Sequence, residues 1–75
     1  MRELVEFIAK SLVDNPEQVV VKEIKGDTTI VLELNVAQDD MGKVIGKQGK
    51  IAKAIRTVVK AAAANENKRV VVEIV

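Results

Sequence analysis

Ile30, Leu32, Leu34 and Val36 recur at every second position, with Thr29, Glu33 and Asn35 between them and only Val31 out of pattern. A period of two belongs to a strand with one face buried. Thr28–Val36 therefore lies in a sheet that the rest of the chain must cover on one side. Gln18–Lys25, rich in valine and isoleucine, precedes it, and Gly26-Asp27 between them is a turn signal. The two runs read as a hairpin. The same period returns at Arg69–Val75, where Val70, Val72 and Ile74 share a face.

Helical spacing fills the remainder. In Arg2–Val13, Leu4, Val5, Phe7, Ile8 and Leu12 recur near a period of 3.6, and Phe7 is expected among the buried residues. Asp14-Asn15-Pro16 ends that helix, because the residue before proline is pushed out of the α region. Asp39-Asp40 stands where an N-cap is needed, so Met41–Ile45 reads as a short helix closed by Gly46. Lys50–Ala64 reads as a longer helix, ended by Asn65–Lys68. Its Ala61–Ala64 run suits close packing on the sheet, or alternatively contact with a partner helix. The order α-β-β-α-α-β places a helical crossover between the second and third strands, which returns the chain parallel and right-handed. The expected fold is a single α+β domain over residues 1–75, with a three-stranded mixed sheet and helices on one face.

The inventory narrows function. The 75 residues include no cysteine and no histidine, which removes disulfides, the commonest metal ligands and the commonest general base together. No metal, no cofactor and no enzymatic activity is expected. There is neither a basic-then-apolar leader nor an apolar run near the ~18–20 residues that span a bilayer. A cytoplasmic protein without membrane insertion is the expectation. The one aromatic residue, Phe7, leaves no exposed rings for stacking nucleobases, which excludes the usual RRM, cold-shock and OB-fold strategies.

Charge is distributed unevenly. The formal net charge is +1, yet Met41–Asn65 holds six basic residues (Lys43, Lys47, Lys50, Lys53, Arg56, Lys60) and no acidic one. All eleven carboxylates lie outside that window. On a helix, Ile51, Ile55, Val58 and Ala62 cluster within about 60° as the buried stripe, while Lys50, Lys53, Arg56 and Lys60 span about 120° roughly opposite. Just ahead lies Gly46-Lys47-Gln48-Gly49, two glycines three apart between two helices. Glycine takes positive φ freely and lets another backbone approach. The first amides of the longer helix suit a phosphate, and Lys47 and Lys50 add full charge beside them.

Val44-Ile45-Gly46-x-x-Gly49 with the following Ile51 and Ile55 resembles the KH-domain signature, and the element order resembles its type II, prokaryotic version. Length and the lysine-bearing loop are similar to those of the small bacterial KhpA family. The resemblance covers essentially the whole chain and implies a non-catalytic protein that binds single-stranded RNA, about four unpaired nucleotides at a time. It implies a groove walled on one side by the short helix, the loop and the long helix, and on the other by the sheet edge and the Asn65–Lys68 loop. Gly46, Lys47, Gln48 and Gly49 would hold the RNA backbone, with Lys43, Lys50, Lys53 and Arg56 adding charge. Val44 and Ile45 would supply groove floor or core, as would Ile51 and Ile55, and their spacing already accounts for all four as core. By the same resemblance the partners include a KhpB-like KH protein and a second copy in a homodimer, and the roles include RNA regulation and chaperoning.

Neither common nucleotide-binding loop fits these glycines. A Walker loop needs four residues between its glycines and a Ser or Thr after the lysine; Gly42 to Gly46 has three, and Gln48 follows Lys47. A dinucleotide fingerprint needs Gly-x-Gly, which is absent. The alternative that survives is a KH fold used only for protein contacts, against which the acid-free basic window argues.

Overall fold

The computed structural model describes residues 1–75 and orders them as α1 (Arg2–Leu12), β1 (Val20–Lys25), β2 (Thr29–Asn35), α2 (Met41–Ile45), α3 (Lys50–Ala62) and β3 (Arg69–Ile74). Short 3-10 turns at Pro16–Gln18, Gln38–Asp40 and Lys47–Gly49 join them. The expected α+β fold and its order are present.

The sheet runs β1-β2-β3, with β1 antiparallel and β3 parallel to the central β2. Alternation along β2 does what its sequence demands: Leu32 and Leu34 are fully buried, and Val21 and Val72 sit beside them on the inner face. Val5 and Ala9 of α1, Val44 of α2, and Ile55 and Val59 of α3 close the core from the helical side. Packing in a chain this small leaves a thin interior, since small domains bury a smaller share of their surface.

Three sequence expectations are corrected. Phe7 is 71% exposed, because Val5 and Ala9 turn the opposite side of α1 inward. The buried stripe of α3 is Ala52, Ile55 and Val59, with Val58 and Ala62 exposed. That is a rotation of about 60° from the expected stripe. Finally, Ala61, Ala62 and Ala64 face solvent rather than the sheet.

Candidate nucleic-acid interface

Gly46 is where the short helix stops. Its φ of 76° and ψ of 173° turn the chain out of α2 in a conformation that L side chains rarely adopt. A Cβ placed there would lie 2.6 Å from Ile51 Cγ1, so the loop folds down onto the first turn of α3 at this point. Gln48 (φ 60°, ψ 23°) and Gly49 (φ 75°, ψ 15°) then take the left-handed region in succession. Nothing lies within 4 Å of a Cβ built on Gly49, so that flank is open. Lys47, Gln48 and Lys50 are all exposed.

The amides divide differently from expectation. The Gly46 amide donates to Gly42 O at 2.9 Å, the Gly49 amide to Gly46 O at 3.1 Å, and the Lys50 amide to Lys47 O. The first amides of α3 are thus partly spent on the turn itself. Charge at this end of the site comes mainly from the Lys47 and Lys50 side chains.

Along α3 the basic face continues. Lys53, Arg56 and Lys60 are exposed, and Arg56 reaches across to the sheet, its Nε donating to Val72 O at 3.3 Å. Beyond Arg56 a cleft of about 480 Å³ opens between α3 and β3, lined by Arg56, Lys60, Lys68, Arg69, Ala63, Ala64 and Val70–Val72. Because β3 is an edge strand and pairs with β2 through residues such as Arg69, whose amide donates to Thr28 O at 2.9 Å, the main-chain groups of Val70 and Val72 point to the open side. One of those groups is the carbonyl that Arg56 touches. Lys68 is held in place by donation to Gly26 O at 2.8 Å.

A match to the family model described as KhpA/KhpB, KH domain, spans residues 2–74. The chain belongs to this KH-domain family. Proteins named RNA-binding protein KhpA match it over its full length, at 72% identity in Clostridium perfringens and 69% in Clostridium acetobutylicum, each covered completely. The namesake in Borreliella burgdorferi is 53% identical over 96% of this chain and 88% of its own. Two solved structures share the fold: Aquifex aeolicus Era Y63A bound to GDP·AlF4− (TM-score 0.59, 24% identity, 97% of this chain and 28% of that one), and Era in complex with MgGDPNP and nucleotides 1506–1542 of 16S ribosomal RNA (TM-score 0.60, 23% identity, 99% of this chain and 30% of that one).

In this KH domain the predicted site residues do not all share one surface. Lys47, Gln48, Lys50, Lys53 and Arg56 are exposed along one edge, with the half-buried Gly46 and Gly49 bracketing the loop. Ile45 is 37% exposed beside the loop, whereas Val44 is fully buried and belongs to the core. Lys43 is engaged elsewhere: its Nζ lies 2.8 Å from Asp14 Oδ2 and 3.4 Å from Asp40 Oδ1. The hydrogen bond to Asp14 raises its pKa above the ordinary lysine value, and the Asp40 contact adds to that against the opposing effect of burial.

Asp40 stands at the N-cap position of α2, as its place in the sequence suggests, but it does not cap the helix with its side chain. Its backbone is helical (φ −98°, ψ −3°) and its side chain makes no capping bond. The carboxylate is buried instead, accepting from the Asp14 amide (3.2 Å), the Asn15 amide (3.0 Å) and Asn15 Nδ2 (3.0 Å). Burial alone would raise its pKa, but these bonds and Lys43 outweigh it and hold the carboxyl below the ordinary value.

Sequence reasoning places Lys60 on the basic face and takes the sheet edge and the Asn65–Lys68 loop as the second wall, but it singles out neither Lys68 nor Arg69 and does not say which strand supplies the edge. The readable signal is the Lys68-Arg69 pair at the mouth of the crossover, hidden by Glu66, which closes the acid-free window one residue past Asn65.

Proposed function

We propose that this chain is a non-catalytic, single-stranded RNA-binding domain of the cytoplasm, its ligand lying from the Gly46–Gly49 loop along α3 into the cleft beside β3. The carrying observation is the continuity of that surface: an open glycine turn, a row of exposed cations and a cationic cleft follow one another along one helix. Lys50 to Lys60 covers about 15 Å, room for several nucleotides of extended backbone. The names of the KhpA relatives support the same ligand.

The chemistry follows from the parts. Lys47, Lys50, Lys53 and Arg56 neutralise phosphates and release counterions. Gln48, held at a positive φ that costs a non-glycine residue about 1 kcal/mol, presents its side chain outward at the loop tip, as strained residues at functional turns do. Unpaired bases then turn toward β3, where the Val70 and Val72 main-chain groups offer a donor and acceptor edge and Ile45 offers apolar contact. The one ring, Phe7, is exposed on α1 and does not line this cleft, so no ring stacks on the bases there and one copy binds weakly. A second copy, or a KhpB-like KH protein, raises affinity through effective concentration. The exposed side chain of Val58 gives such a partner an apolar foothold.

The double variant Lys47→Asp/Gln48→Asp tests the reading, with a short randomised single-stranded RNA pool titrated by anisotropy. Affinity should fall at least about 10-fold, with the slope of log K against log salt shallower by about 0.7 for each phosphate no longer neutralised. Unchanged affinity in a folded variant would leave the protein-contact alternative in possession of the site.

A further inference from the structure

The GXXG loop hangs from α2, a helix of five residues. A helix that short has no stability of its own, since isolated helices below ~12–15 residues are marginal. Something else must fix its direction. In the middle, Val44 is sunk in the core. At its N-terminal end the buried Asp40 carboxylate reaches 25 residues back along the chain to the turn after α1, where Pro16 prevents the helix from continuing and leaves the Asp14 and Asn15 amides without helical acceptors. Lys43, one turn into α2, closes the group by bridging Asp14 and Asp40. Three donors from one short turn converge on the two oxygens of a single acid. No other ionisable side chain of the protein is buried.

We infer that Asp40 is a positioning residue for RNA binding: by tying the start of α2 to the Asp14-Asn15 turn it sets where the Gly46–Gly49 loop stands over the first turn of α3. Asp40 and Gly46 lie about 9 Å apart along the helix axis, so with Val44 as pivot a tilt released at one end moves the loop at the other. Gly46 has little slack for such a tilt, because Ile51 stands so close that a Cβ built on Gly46 would lie 2.6 Å from its Cγ1. Lys43 accordingly serves the tie, and its charge reaches the RNA only by leaving two carboxylates. The inference rests on the loop being the RNA site.

Asp40→Asn keeps the shape of the side chain but removes the charge and turns an amide NH2 toward backbone N–H donors. Its RNA affinity should drop about 10-fold while the sheet stays folded, and the Gly46–Gly49 amide resonances should shift. The comparison is Val21→Ala, which thins the core from β1 and lowers thermal stability without touching the tie. A purely structural role for Asp40 predicts that both variants, measured well below their melting temperatures, bind like the parent; that result overturns the inference. If Asp40→Asn does not fold, Asn15→Ala removes a single bond to the carboxylate and should give the same loop shifts with affinity reduced a few-fold. Absence of shifts there also overturns it. Lys47→Asp/Gln48→Asp separates the two ideas. Weaker binding in that variant with none in Asp40→Asn defeats the positioning role alone, and unchanged binding in both defeats the loop site and this role with it.

Discussion

Gly46 and Gly49 have nearly the same φ and opposite surroundings, and the difference makes them separable by mutation. At Gly49 a methyl group meets open space, so Gly49→Ala costs only the left-handed backbone strain, about 1–2 kcal/mol. At Gly46 the same methyl meets Ile51 Cγ1 at 2.6 Å in addition. Chemical denaturation should therefore rank Gly46→Ala below Gly49→Ala in stability. Ile51→Ala should relieve part of the first penalty and none of the second, so a double-mutant cycle gives favourable coupling at Gly46 and additivity at Gly49. Additivity at both positions would mean that the loop does not rest on Ile51. Glycine spacing is legible in the sequence. The opposed environments are not, because they depend on how α3 is rotated.

That rotation is a matter for the helix as a unit. Val58 and Val59 are adjacent, chemically identical and 100° apart, so a periodicity read from apolar residues alone can be centred on either. Alanine adds to the ambiguity: Ala52, small enough to be overlooked, is buried, while the conspicuous Ala61-Ala62 pair is not. The basic face is legible because lysine and arginine are unambiguous about solvent. The consequence is measurable. Val59→Ala should cost about 2 kcal/mol, as a buried aliphatic truncation does. Val58→Ala should stay within about 0.5 kcal/mol, as exposed substitutions do. Equal destabilisation in thermal melts would place both valines inside. Phe7 repeats the lesson on α1, where hydrophobicity suggests burial but Val5 and Ala9 turn the opposite side of the helix inward.

Across the whole molecule, the alternation of β2, the crossover and the segregation of charge are visible residue by residue, since each is a local pattern. The tie between Asp40 and the Asp14-Asn15 turn is not, because it joins segments that only the fold brings together. It also sets how stability responds to pH. Asp40 titrates below its ordinary value of 3.8, so its contribution is present above that value and is lost as pH falls through the lower folded value. Lys43 titrates above 10.5, so its share persists below that value and is lost only as pH rises through the higher folded one. With no histidine in the chain, the group usually responsible for changes between pH 5 and 8 is missing as well. Urea midpoints should form a plateau through neutral pH and fall on the acid side of about pH 4. Asp40→Asn should start lower on the plateau and show a shallower acid limb, converging on the parent as the parent's Asp40 protonates. Parallel curves for the two proteins from neutral pH to acid would show that the Asp40 carboxylate does not hold the two halves of the helical layer together through its charge.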